Sequence, residues 1–375
     1  MNNASPDNKQ FLLGNWIQRG DIAQWWQQGR HKFVFDPVAG RYIVLGFYRT
    51  ASDATGQAAL DEIHKRSHLV REEKICFFGI STDSKDKSER NVAARFPSIN
   101  FLWDADSSLN RTYGVGASRM WVVLNPMLRV VAVIHFRPDG SDRSELFNLL
   151  DMLPPPAHFL GCEIRAPILV LSDVFEPELC RHLIALFKHH GGRESGFMEE
   201  IGGKAVESYD HRWKRRKDYM ITDSRLVQDL QARIGRRIGP EVDKAYHFRA
   251  TRIERHLVGC YCAEDAAHFG PHRDDTVKAT AHRRFAVSIN LNEDFDGGEL
   301  YFPEYSAYRL KAPIGAAVIF SGSLLHSVSR VKRGSRYAYV PFLYDEEGEK
   351  IRQDNLRFLT QPTENTTINR PTGSK

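Results

Sequence analysis

Apolar and polar positions follow one rhythm in the first half of the chain and another in the second. In the first, apolar runs such as "RYIVLGFY" (41–48), "KICFFGIS" (74–81) and "MWVVLNP" (120–126) are separated by helix-like stretches such as "GQAALDEIHKRSHLV" (56–70). Short continuous apolar runs between polar segments read as buried strands, and their alternation with helices predicts an α/β domain around a central sheet. Pro154–Pro156 cannot continue a helix and favour an extended connector, which places the domain boundary there.

After "APILVLS", Asp173 followed by Glu176 reads as a capping box, with Pro177 in the first turn and Leu179, Leu183, Ile184 and Phe187 on one helix face. Gly191 and Gly192 end that helix, and a second runs through Leu226, Leu230, Ile234 and Ile238 until Gly239–Pro240 stops it. From about residue 250 onward strands and turns dominate. "RFAVSINLN" (284–292) alternates strictly, with Phe285, Val287, Ile289 and Leu291 on one face and Ala286, Ser288 and Asn290 on the other. With "DGGELYF", "PIGAAVIF" and "RYAYVPFLY" it predicts a double-sheet jelly roll. The tail "QPTENTTINRPTGSK" carries too little apolar surface to join a core and is expected to be disordered.

At 375 residues there is room for two domains, each with its own core. No apolar run is long enough to span a bilayer, and "MNNASPDNKQ" lacks the marks of a secretion signal, so the expectation is a cytoplasmic protein with no membrane partner. Five cysteines without a CxxC pair fit a reducing compartment. A formal charge of +5 permits an anionic substrate without requiring nucleic acid. The basic run "HRWKRRKDYM" (211–220) is read as a solvated turn or a lip over a site in preference to a nucleic-acid contact.

The chemistry concentrates in "HFGPHRDD" (268–275). A helical zinc site from His268 and His272 fails, because Gly270 and Pro271 would break the helix that brings the two together. His272 and Asp274, two apart on an extended chain, point the same way and can take adjacent positions on one metal. His326, about fifty residues later at the start of another predicted strand, completes a two-histidine, one-carboxylate set of the kind that leaves positions open on Fe(II). Arg336 follows ten residues after His326 and offers a planar cationic fork suited to a carboxylate. His268 and His282 are read as loop residues, Arg273 and Asp275 as facing away from the ligands, and Gly297–Gly298 as a tight turn.

"CYCAEDAAHFGPHRDD", "FAVSINLNEDFDGGELYFPE", "GAAVIF" and "HSVSRVKRGSRY" resemble the prolyl 4-hydroxylase-like branch of the Fe(II)/2-oxoglutarate oxygenases over roughly residues 165–346. The resemblance implies that His272, Asp274 and His326 ligate iron and that Arg336 binds the far carboxylate of 2-oxoglutarate. It further implies that Tyr261, and by a weaker transfer Asn290, donate hydrogen bonds to this cosubstrate, with ascorbate as an auxiliary reductant. The activity implied is hydroxylation of a C–H bond in a peptide, amino acid or other small molecule, with release of succinate and carbon dioxide. A nucleic-acid dealkylase sharing the cosubstrate is the nearest alternative, although its arginine lies farther beyond the distal histidine.

"VLGFYRTASDATGQAALDEI", "FFGISTDS" and "FLWDADSSLNRTYGV" resemble peroxiredoxins, which implies a thioredoxin-like fold over about residues 30–150. Where that family carries Pro, Thr and the peroxidatic Cys, this chain has Arg49, Asp53 and Gly56, and Arg119 matches a family arginine that has no thiolate to act on. The expected organisation is an extension (1–29), a peroxiredoxin-like domain (30–153), a linker (154–164), the jelly-roll oxygenase domain with supporting helices (165–346) and a tail (347–375). The first domain is expected to serve dimerisation, a protein partner or substrate presentation. A thiol peroxidase using Cys76 and a non-catalytic 2-oxoglutarate-binding module are the other function classes.

Overall fold

A computed structural model describes residues 25–26, 32–33, 35, 38–70, 73–88, 98–201 and 203–359. Most of the expected extension, and the tail beyond residue 359, lie outside the described residues. Two compact units divide the chain, one running to Ala166 and including Pro303–Ala307, the other formed by Pro167–Phe302 and the chain from Tyr308. No helix among the described residues is long and apolar enough to cross a membrane.

The first unit is a mixed α/β structure. Strands β1 (Tyr42–Arg49), β2 (Ile75–Ser81) and β3 (Ile99–Trp103) run parallel, while β4 (Met120–Leu124) lies antiparallel to β1 and β5 (Val130–His135) antiparallel to β4. Two-residue strands at Trp25–Trp26 and Lys32–Phe33 extend the sheet beyond β3. Every residue of β2 and β4 is buried, which is why these segments read as continuous apolar runs and not as alternating ones. Helix α1 (Ala54–Lys65) is capped by Asp53, whose carboxylate accepts from the Gly56 amide, and it buries Ala59, Leu60 and Ile63. Helix α2 (Ser141–Met152) buries Leu146, Phe147 and Leu150, and Trp121 Nε1 donates to Asp142 Oδ2 at 2.9 Å.

Among the described residues the second unit holds two two-stranded antiparallel sheets and two larger ones. The smaller of these last two has five strands, including β6 (Lys214–Arg215), β8 (His268–His272) and β10 (His326–Val328), with β8 between the other two. The larger has nine strands and is centred on β7 (Leu257–Cys262), β9 (Phe285–Asn290) and β11 (Ser335–Tyr339), with β11 between β7 and β9. Val287, Ile289 and Leu291 of the alternating segment pack into a core with Val258 and Tyr339, and with α3 (Pro177–His190), α4 (Ser224–Arg237) and α5 (Gly239–Tyr246). Helices cover that face, which leaves Ser288 and Asn290 on the other.

Two local expectations are corrected and one is extended. Asp173 adopts φ 57° and caps nothing; α3 starts at Pro177 behind Glu176, whose side chain makes no cap bond and instead accepts from Arg233 and Arg237 of α4. α4 ends at Arg237, just before Gly239–Pro240 as expected, but a further helix, α5, follows at once, with Pro240 in its first turn where its missing N–H costs nothing. The basic run 211–220 is not a solvated turn throughout: Lys214 and Arg216 are buried, while Lys217 faces outward.

Candidate metal centre

β8 and β10 pair with His272 opposite His326, so two imidazoles from separate strands stand side by side with ring centroids 4.2 Å apart. The strand ends at His272, and Asp274 belongs to the turn that follows, held by its amide donating to the Gly322 carbonyl at 2.8 Å. Asp274 Oδ1 is 3.8 Å from His272 Nε2 and Oδ2 is 3.4 Å from His326 Nε2. One ligand atom from each residue lies within 4.8 Å of the other two, the spacing of donors around a single cation.

The local chain sets the histidine tautomers. Nδ1 of His272 bonds to the carbonyl of Gly270 at 2.8 Å, and Nδ1 of His326 to that of Leu324 at 3.0 Å. A carbonyl only accepts, so each Nδ1 carries the proton and each Nε2 presents its lone pair toward Asp274. Burial first, and the neighbouring His326 second, hold the His272 pKa well below the ordinary histidine range. Neutral imidazole is the form a metal takes. Phe269 stacks on His272 with centroids 3.5 Å apart, and Phe320 meets His326 edge-on at 4.6 Å.

The larger sheet supplies a different chemistry. Arg336 of β11 is 4% exposed; Nε donates to Asn290 Oδ1 at 3.0 Å and Nη2 to Ser288 Oγ at 2.9 Å. Among the described residues no carboxylate forms an ion pair with it. Burying a charge against neutral groups alone is costly, so the site fits an anion brought from outside. Tyr261 of β7 lies opposite Arg336 in register, its ring 5.5 Å from the guanidinium carbon. The Tyr261 hydroxyl accepts from Arg216 Nη1 at 3.4 Å. Asn290 Nδ2 donates to the Ala312 carbonyl at 2.7 Å, so both ends of the amide are engaged and the side chain holds Arg336 in place.

Other expectations near the site change. His268 is a buried strand residue with both ring nitrogens on backbone carbonyls, of Ala266 and Arg212. His282 does lie in a turn, as expected, but is buried there against Glu254. Arg273 is also buried, donating to the Ser323 carbonyl at 2.7 Å, because the chain turns after His272 and strand alternation no longer applies. Ser288, missed as a site residue, was signalled by sharing the polar face of 284–292 with Asn290. Lys214 and Arg216 were missed because charge density hid a two-residue period.

In the first unit, Arg119 Nη1 donates to Asp53 Oδ1 at 2.9 Å and Nη2 to Oδ2. Gly56 stands against backbone: a Cβ there would lie 1.8 Å from the Thr50 carbonyl oxygen. This conformation has no space for a cysteine at that position. Cys76 is 1% exposed within β2.

Residues 235–344 match the 2OG-Fe(II) oxygenase superfamily. The C-terminal half therefore carries a 2OG-Fe(II) oxygenase domain, and the superfamily implies Fe(II) and 2-oxoglutarate. A PKHD-type hydroxylase of Synechococcus sp. (strain JA-2-3B'a(2-13)) is 35% identical over 104 residues, covering 25% of this chain and 45% of the relative. One from Pseudomonas aeruginosa (strain LESB58) is 33% identical over 112 residues, 28% of this chain and 47% of the relative. The chain thus spans about half the length of these relatives. A solved prolyl hydroxylase from Trichoplax adhaerens, in complex with a hypoxia inducible factor peptide fragment, aligns at 18% identity and TM-score 0.37, over 56% of this chain and 94% of that one. A Pseudomonas putida prolyl-4-hydroxylase aligns at 14% identity and TM-score 0.33, over 48% and 94%.

Proposed function

We propose that the second unit is a jelly-roll oxygenase that uses Fe(II) and 2-oxoglutarate to hydroxylate a C–H bond of a peptidyl, amino-acid or small-molecule substrate. One observation carries the reading: three donor atoms converge on one point at the end of strand β8 and its following turn, while the larger sheet buries a guanidinium that forms no ion pair among the described residues. His272, Asp274 and His326 would hold the iron, and Arg336 the far carboxylate of 2-oxoglutarate. When bound, iron couples oxidative decarboxylation of 2-oxoglutarate by dioxygen, giving succinate and carbon dioxide, to transfer of the second oxygen atom into the substrate C–H bond.

The chain's own part is to position and to exclude. Ser288 and Asn290 fix the Arg336 fork, so little rotamer freedom is lost when a carboxylate arrives. Phe269, Phe302 and Phe320 line the histidines with groups that cannot take up protons. Tyr261 sits where a hydroxyl can share an anion with Arg336.

The first unit we read as a thioredoxin-like module without peroxidase chemistry, serving contact with a partner or a second copy. The crowding at Gly56 and the burial of Cys76 support this over a thiol peroxidase. Burial of Lys214 and Arg216 disfavours the nucleic-acid alternative, since a phosphate backbone needs its cations on the surface. Anaerobic Fe(II) and 2-oxoglutarate titrations, followed by succinate measurement in air, test the reading. Binding of both with succinate formation is expected; absence of Fe(II) binding would overturn it.

A further inference from the structure

Lys214 lies in β6 opposite Phe269, with 6% of its surface exposed. Its ammonium donates to Ser195 Oγ at 2.8 Å and to the Gly196 carbonyl, and stands 4.8 Å from the centre of the Phe269 ring. That ring is the one stacked on His272. The same Ser195 hydroxyl accepts from Arg216 Nη2 at 3.3 Å, and Arg216 Nη1 reaches the Tyr261 hydroxyl. Lys214 is therefore joined by direct contacts to the metal-ligand side through Phe269 and to the Arg336 side through Tyr261.

Asp218 is claimed by Arg216, which donates Nε at 2.6 Å and Nη2 at 2.7 Å to its two oxygens. Lys214 and Arg255 also act on that carboxylate, with Glu207 a further anion near Lys214 and Glu254 one near Arg255. Among the described residues none forms an ion pair with Lys214. Held on two neutral oxygens and an aromatic face, the ammonium has not recovered the cost of leaving water, and burial holds the Lys214 pKa well below the ordinary lysine range; a carboxylate arriving beside it would favour the charged form. In the reading above, 2-oxoglutarate neutralises Arg336. Lys214 still forms no ion pair among the described residues, its ammonium resting on Ser195 Oγ and the Gly196 carbonyl.

We propose that Lys214 anchors a carboxylate of the molecule that is oxidised, so that the site takes an acid as its primary substrate alongside 2-oxoglutarate. This rests on the oxygenase reading and adds the substrate class. A single ammonium beside an apolar ring suits a monoanion better than a phosphate, which would need the fork that Arg216 has already given to Asp218.

The test uses the full chain and a matched pair, N-acetylglycine and N-acetylglycinamide, which differ only in carboxylate against amide. Thermal-shift titrations are run on the apoprotein and on protein holding Fe(II) and 2-oxoglutarate without oxygen. A saturable rise in Tm is expected with the acid, at least tenfold tighter than with the amide. Lys214→Met abolishes the preference and leaves Fe(II) and 2-oxoglutarate affinity unchanged, whereas Arg336→Met keeps it. Equal response to acid and amide in the wild type, or a preference that survives Lys214→Met, overturns the proposal, as does tighter binding of inorganic phosphate than of the acid. The wild-type comparison needs no variant to fold. Failure of the oxygenase reading registers separately, as missing Fe(II) or 2-oxoglutarate binding.

Discussion

His272 is fixed by strand pairing and Asp274 by a turn, yet both must present an atom to one point. Replacing either with alanine leaves two donors, and stoichiometric Fe(II) binding is expected to disappear, with affinity down by about 100-fold or more, since even outer partners of metal ligands cost 10–100-fold. Anaerobic calorimetry checks this; full iron occupancy in both variants contradicts the assignment. Arg336→Met separates the two functions of the site. It should keep the metal and weaken 2-oxoglutarate by at least about 30-fold, the equivalent of the roughly 2 kcal/mol lost when a buried charge pair is truncated. The apoprotein should melt no lower than the wild type, because an uncompensated buried charge has been removed. Unchanged cosubstrate affinity excludes the role. These residues were legible because ligand identity and spacing survive in one dimension. The turn that carries Asp274 was not, since what holds the chain there is a hydrogen bond from the Asp274 amide to the Gly322 carbonyl, far along the sequence.

At the scale of elements, α3 and α4 are tied by Glu176, whose carboxyl is pulled down to a pKa of about 2, chiefly by the Arg237 hydrogen bond. A depressed acid contributes stability above its unfolded pKa of about 4.3 and loses it as pH falls through the folded value. Glu176→Gln should therefore destabilise at pH 7 by about 1 kcal/mol or less, the side chain being 40% exposed and screened. The difference from wild type should shrink steadily below pH 4 and vanish near pH 2 in urea titrations. A constant difference across that range would disprove the linkage. Sequence reading assigned Glu176 to a local cap because its true partners lie 57 and 61 residues away. The same blindness affected Lys214 to Asp218, where alternate residues turn inward on strands; helix faces and the alternation of 284–292 were readable because one stripe of apolar residues decides them.

Over the whole molecule, the five cysteines report which surfaces stay closed. Cys162 is exposed and Cys262 partly so, while Cys76, Cys180 and Cys260 are buried. Burial pushes the Cys180 and Cys260 thiols up to about 11, further lowering their thiolate fraction. A native thiol titration should show one fast group, one slower, and three that react only after unfolding; rapid native reaction of three or more would contradict the burial. Peroxide should be consumed no faster than by free thiols in solution. The α/β character of the first unit could be read from fully buried strands, but the closed space at Gly56 could not, since a backbone carbonyl leaves no mark in the sequence.

Each metal-facing imidazole leans on a carbonyl only two residues earlier in the chain. Such short tethers belong to the polypeptide and owe nothing to the ion, so the cradle is cast before any cation arrives. Exchange of Fe(II) for Mn(II), Co(II) or Zn(II) should then leave both ring orientations where they are, and the protein would have to choose among these ions by supply and by vacant coordination positions, not by reshaping itself.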